Sequence, residues 1–278
     1  MTALDLEAEY NNRARVPEHP GIIAGWKENA ATYRASHPHS EIGLVYGESP
    51  RQTIDLFWPD ASRDAPIVLF IHGGYWQALD PSHFSHLARA ANLNGVAFAI
   101  PGYDLCPQVT VSTIIDQLRA AALYLWKRHQ RPMVASGHSA GGHLTACLLA
   151  TEWHALDNDA PADLVPSGLS ISGLFDLEPL LQTTVNNALK LDANEARRLS
   201  PLYWPVASGV TLDAWVGGTE SHEYLRQSRT AADVWKMKGA ETGYREIAGA
   251  NHFTVLEPFA DPASEISQRL AGFARALR

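Results

Sequence analysis

From about residue 65 onward, short continuous apolar runs alternate with longer stretches of helical period. The runs IVLFIH (67–72), VAFAI (96–100), MVAS (133–136), GLSIS (168–172), LDAWV (212–216) and YREIA (244–248) read as strands. Between them SHFSHLARAANLN (82–94), STIIDQLRAAALYLWKRH (112–129), AGGHLTACLLATEW (140–153) and EYLRQSRTAADVWKMK (223–238) read as helices. In the second of these, Ile114, Ile115, Leu118, Ala122 and Leu125 form one apolar stripe. A last helix is expected after Asp261 as cap and Pro262 in the first turn, with Ile266, Leu270, Phe273 and Leu277 on its inner face. Strands without alternation, each followed by a helix, predict the α/β class: a mostly parallel sheet with helices on both faces. Residues 1–40 read as an N-terminal helical extension, and residues 174–205 as a cap-like, irregular-to-helical insertion. Both are expected to cover one core, so residues 1–278 are expected to form a single domain. Such an insertion commonly lies over the carboxyl edge of the sheet, where ligands bind.

Composition narrows the function classes. Of 278 residues, 46% are hydrophobic and 19% charged, with 22 basic against 30 acidic side chains and a formal net charge of −8. No basic face is available for nucleic acid. No apolar stretch approaches the 18 residues of a membrane span. The opening MTALDLEAEYNNRARV lacks the basic and apolar regions of a secretion signal, and Cys106 and Cys147 form no disulfide framework. A cytoplasmic protein acting on a small molecule is expected.

The candidate chemistry lies in GHSAG (137–141), a serine between glycines where a strand turns into a helix. In that context Gly-x-Ser-x-Gly is the nucleophile elbow of α/β hydrolases, whose strained turn lifts the hydroxyl clear of the sheet. Ser139 then needs a base and an acid, in the chain order serine, acid, histidine. His252, in GANHF after the last strand, stands where the base belongs, while His138 and His143 are too close to the elbow to reach back. Glu220, in the loop WVGGTES after the penultimate strand, is the candidate acid, and Asp176, after SISGLF, is its rival. The glycines of FIHGGYW (70–76) allow backbone amides to approach an oxyanion. Gly74, Tyr75 and Ala140 are the expected donors, with Gly73 an alternative.

Taken together, HGGYW, GHSAGGHL, SGLFDLEPL, GGTESHEYLRQS and GANHF resemble the kynurenine formamidase (arylformamidase) branch of the α/β-hydrolase superfamily over about residues 40–260. The hallmark His-Gly-Gly-x-Trp of that branch is His72-Gly73-Gly74-Tyr75-Trp76. The resemblance implies an α/β-hydrolase fold and a cofactor-free, metal-independent serine hydrolase, monomeric or a homodimer, that converts N-formylkynurenine to kynurenine and formate. It implies Ser139 as nucleophile and His252 as base. The family's acid, an aspartate in animal members, aligns on Glu220. Tyr75, Trp76, Phe175 and Tyr203 are candidate walls for an aromatic substrate. A carboxylesterase for short acyl or aryl esters would use the same parts. A non-catalytic ligand receptor on this scaffold is the alternative of another class, disfavoured because both Ser139 and His252 are retained.

Overall fold

The computed structural model describes residues 4–277. Three helices open it: α1 (Leu6–Tyr10), α2 (Asn12–Arg15) and α3 (His19–Ser36). Two strands absent from the pattern reading follow, β1 (Ser40–Val45) and β2 (Thr53–Phe57). Next come β3 (Ile67–Ile71), α4 (Ala88–Leu93), β4 (Ala97–Pro101), α5 (Val111–His129), β5 (Met133–His138) and α6 (Ala140–Leu149). After α7 (Trp153–Leu156) and β6 (Ser167–Ile171), the 174–205 segment contains α8 (Asn186–Leu189) and α9 (Ala193–Arg198) between short 3₁₀ turns. The chain closes with β7 (Thr211–Gly217), α10 (His222–Met237), β8 (Glu241–Ile247) and α11 (Glu265–Ala276).

The eight strands form one sheet in the order β1-β2-β4-β3-β5-β6-β7-β8, antiparallel at β1/β2 and β2/β4 and parallel from β4 to β8. This is the expected mostly parallel architecture. Side chains of β3 alternate between two cores. Ile67, Leu69 and Ile71 join Ile114, Leu118 and Leu125 of α5 on one face. Val68 and Phe70 join Trp26 of α3 and Ile266 and Leu270 of α11 on the other.

Three local readings change. The 82–94 stretch is not one helix: 3₁₀ turns at Pro81–His83 and Ser85–Leu87 precede α4, because Phe84 leaves helical geometry at φ −123° and ψ 0°. The stretch 140–153 breaks after Leu149, and α7 begins at Trp153. The cap of α11 is Ser264, whose hydroxyl accepts from the Ser267 amide, while Asp261 accepts from the Ala263 amide in the turn before it.

Because β3, β5, β6, β7 and β8 are parallel, their carboxyl ends share one edge of the sheet. β5 runs through Ser139 directly into α6. The first turn of that helix lies on the end of β3, so close that a Cβ on Gly141 would stand 1.9 Å from the Ile71 carbonyl oxygen. The atoms it would meet, in Ile71 and His72, are backbone and cannot yield cheaply. Gly141→Ala is therefore expected to yield insoluble protein, or a melting temperature lowered by 10 °C or more on the order of a 3 kcal/mol loss. Thermal unfolding followed by circular dichroism checks this.

Candidate active site

The nucleophile candidate sits on a strained backbone. Ser139 adopts φ 58° and ψ −119°, a conformation that a residue with a Cβ rarely holds. Neighbouring bonds impose it. The Ser139 amide donates to the Ile171 carbonyl at 2.8 Å, and the Ser139 carbonyl accepts from Gly142 at 2.8 Å and His143 at 3.2 Å.

The base and acid candidates meet directly. His252 Nδ1 donates to Glu220 Oε2 at 2.6 Å, with their side chains 6% and 0% exposed. The other carboxylate oxygen accepts from Ser172 Oγ at 2.5 Å and the Gly217 amide at 2.7 Å. Three donors thus fix the carboxylate, and the carboxylate fixes the imidazole tautomer, leaving Nε2 as the acceptor. Asp176 stands elsewhere: its carboxylate accepts from the Glu178 amide at 3.1 Å, and its own amide donates to Gln227. Burial pushes its pKa up. Of the two acids, the structure brings Glu220 to the histidine.

His138 completes the support. Its Nε2–H donates to the His252 carbonyl at 2.8 Å, and its ring centroid lies 4.7 Å from that of His252. Burial first, and then the neighbouring His252, hold its pKa well below the usual value, so it serves as a neutral donor.

The loop after β3 supplies the amides. Gly74, Tyr75 and Trp76 have φ of 111°, 51° and 58° in succession. A Cβ on Gly74 would lie 2.3 Å from the Ala78 carbonyl oxygen, and the Gln77 and Ala78 amides both donate to the Gly74 carbonyl. Among the described residues, the amides of Gly74, Tyr75 and Ala140 have no hydrogen-bond acceptor. His72 stiffens this loop from behind. Its ring stacks at 4.2 Å on Tyr103 and 5.9 Å on Phe84, and its Nδ1–H donates to the Gly73 carbonyl at 2.8 Å. Burial lowers its pKa to about 4. His143 is likewise buried, lowered to about 4, and donates from Nε2 to the Leu199 carbonyl at 2.8 Å, tying α6 to the 174–205 segment.

Ser139, His252, Gly74 and Tyr75 border one cavity of about 400 Å³. Of the four expected aromatic walls Tyr75 borders it, and the other three do not. Trp76 is buried, edge-on to His143 at 5.0 Å, and Phe175 is buried in the core beside α10. Tyr203 is 40% exposed, with the Arg197 guanidinium over its ring at 4.4 Å. The aromatic and amide walls come instead from the N-terminal helices and the histidine loop: Tyr10, Asn12, Trp26 and Phe253. Pattern reading also missed Tyr224, whose ring centroid lies 4.6 Å from that of His252. Its only sequence signal was its place four residues after Glu220.

Similarity to known proteins agrees with this geometry. The BD-FAE family model matches residues 54–190. Kynurenine formamidase of Drosophila melanogaster is 30% identical over 240 residues, covering 82% of this chain and 79% of that protein. The chain belongs to the kynurenine formamidase family. The kynurenine formamidase of Danio rerio is 29% identical over 228 residues, covering 79% of this chain and 77% of its own length. A provisionally named thioesterase from Silicibacter sp. TM1040, a solved structure, superposes with a TM-score of 0.82 at 35% identity, covering 96% of this chain and 98% of that one. The thermophilic carboxylesterase EstE1, at 19% identity and a TM-score of 0.70, shares the fold. Within the kynurenine formamidase family the chain is thus an α/β-hydrolase enzyme, and no helix among its described residues is long and apolar enough to cross a membrane.

The buried histidines of this kynurenine formamidase family member carry a pH consequence. A group whose pKa falls from 6.5 unfolded to about 4 folded binds more protons in the unfolded chain between those values. Stability is full above about 6.5 and falls as pH drops toward 4. In urea titrations between pH 7 and 4.5, the parent should lose stability more steeply than His143→Gln, which can keep the donor to Leu199 without titrating. Equal slopes would show that His143 is not held neutral.

Proposed function

We propose that this chain is an arylformamidase-type serine hydrolase that releases a formyl or other small acyl group through an acyl-enzyme on Ser139. One observation carries the reading: Ser139, Gly74, Tyr75 and His252, whose Nδ1 donates to Glu220, all border one cavity, and the amides of Gly74, Tyr75 and Ala140 donate to no other group among the described residues. In this scheme His252 Nε2 takes the Ser139 proton as Oγ attacks the carbonyl carbon. Negative charge gathers on the carbonyl oxygen, where the three amides stabilise it. The imidazolium, held by Glu220, returns the proton to the leaving amine or alcohol. Water then repeats the sequence on the acyl-serine and frees the acid. N-formylkynurenine fits this scheme, since its formyl group needs little space beside Ser139 and its aniline ring suits the walls formed by Trp26 and Phe253. The named activity of the relatives from Danio and Drosophila supports the same substrate.

A carboxylesterase for short acyl or aryl esters is the second reading; the Silicibacter protein at 35% identity is named for thioester cleavage, an acyl transfer that the same parts would perform. The two separate in one comparison of kcat/KM, for N-formyl-L-kynurenine and for p-nitrophenyl acetate, with Ser139→Ala as the blank. A preference for the formamide of about a hundredfold or more is expected, with both activities absent from the folded Ser139→Ala variant. Rapid ester cleavage with negligible formamidase activity would move the assignment to the esterase. Activity retained in Ser139→Ala would remove the mechanism altogether.

A further inference from the structure

In the loop after β3 the Gly74 carbonyl accepts from the Gln77 and Ala78 amides, and the Trp76 carbonyl accepts from the Cys106 amide at 2.7 Å. Tyr75, between them at φ 51°, makes no backbone hydrogen bond among the described residues and is tied through its phenol alone. The phenol donates its one proton to the Tyr10 carbonyl at 2.6 Å. Across the 2.6 Å contact between the Tyr75 and Tyr224 hydroxyls, Tyr224 must therefore be the donor. The Tyr224 oxygen accepts in turn from Asn12 Nδ2 at 2.9 Å. A run of three hydrogen bonds thus starts at Asn12, passes through two phenols and ends at the Tyr10 carbonyl.

Both ends of that run belong to helices that precede the sheet, Tyr10 to α1 and Asn12 to α2. Both residues are buried, and the helices are bonded on two sides. Towards α10, the Tyr10 hydroxyl donates to Glu223 Oε2 at 2.7 Å, and Glu9 Oε2 accepts from the Glu223 amide at 3.0 Å. Towards the 174–205 segment, Glu7 accepts from the Thr184 amide at 2.7 Å and from the Thr184 hydroxyl at 2.8 Å. The Tyr75 phenol is therefore tied to a support that is itself anchored.

We infer that the N-terminal helices set the oxyanion site: the Tyr75 side chain is a positioning group for its own amide, and Asn12 acts on it through Tyr224. This rests on the reaction proposed at Ser139. As Oγ bonds to the carbonyl carbon and its proton passes to His252, the C=O π pair moves onto oxygen, which needs amides already in place. With a left-handed backbone and no backbone partner, the Tyr75 amide is placed by where the phenol is tied. A trigonal carbonyl carries no full charge and depends on that placement far less. The Tyr75 hydroxyl itself gains and loses no proton.

The test uses the full chain and a matched pair of inhibitors. Trifluoroacetophenone adds to a serine hydroxyl and places an oxyanion, whereas acetophenone, the same ring without fluorine, stays trigonal. Tyr75→Phe keeps the ring and removes only the hydroxyl. It should raise Ki for trifluoroacetophenone and lower kcat/KM for p-nitrophenyl acetate, each by about tenfold, with Ki for acetophenone within about twofold of the parent. Asn12→Ala should cost about threefold in the same two quantities and nothing further in the Tyr75→Phe background, because it acts through the same hydroxyl. Equal shifts for both ketones would mean a cavity disturbed as a whole and would overturn the inference. Parent-like values in Tyr75→Phe, or an Asn12→Ala effect undiminished in that background, would overturn it too. If Tyr75→Phe does not fold, Asn12→Ala decides with the same two ketones: a loss confined to the fluorinated one supports the inference, and any other pattern overturns it. Hydrolysis retained in Ser139→Ala would instead remove the reaction on which the inference rests, a separate failure.

Discussion

The Glu220 carboxylate is the knot on which the candidate site depends. It receives Ser172 from the end of β6, the Gly217 amide from the end of β7, and His252 from the loop beyond β8. Three strand ends that the parallel sheet only brings near one another are thereby joined through one buried anion. A carboxylate satisfied by three donors tolerates burial, whereas one left with a single partner would carry a desolvation penalty of several kcal/mol. The arrangement orients the imidazole and leaves Nε2 available toward the cavity. Glutamate's extra methylene, relative to aspartate, spans the distance from the loop to both Ser172 and His252.

Opposing this knot is the strained serine, held by glycine-dependent packing behind it. The positive φ of Ser139 persists because β3, β5, β6 and α6 over-determine it. The loop after β3 stores similar strain over Gly74, Tyr75 and Trp76, braced by the His72 ring between Tyr103 and Phe84. Histidine at position 72 is therefore a neutral spacer and donor, and the glycines beside it free the amides. Each half of the site costs backbone or polar free energy that the two cores on either side of the sheet offset.

Much of this was legible in the residues, for identifiable reasons. Continuous apolar runs such as IVLFI mark strands buried on both faces, and GHSAG, HGGYW and GANHF each carry a requirement that few residue types meet. What was not legible depended on partners distant in sequence. β1 is an edge strand broken by Gly43 at φ 73°, and β2 buries Asp55 against Arg34 and the Gly43 amide, so neither shows a clean period. Trp76 and Phe175 look like substrate walls from their places beside motifs, but a large apolar side chain next to a strand end usually points into the core. Much of the actual wall, Tyr10, Asn12 and Trp26, comes from helices before the sheet, whose route over the site no local pattern records. Tyr224 sits on the buried stripe of α10, where an aromatic residue reads as packing until its hydroxyl partners are known.

Hydrolysis by this site requires Glu220 to act through His252. The most direct test is kcat/KM for p-nitrophenyl acetate in Glu220→Gln, with thermal melting recorded on the same preparation. Glutamine preserves the shape and can still accept from Ser172 and Gly217, but it favours the wrong imidazole tautomer and cannot stabilise the imidazolium. A fall of roughly 10³–10⁴-fold in a protein that still folds is the predicted result. A folded Glu220→Gln enzyme within tenfold of the parent would contradict the account, because the 2.6 Å pair would then be structural only.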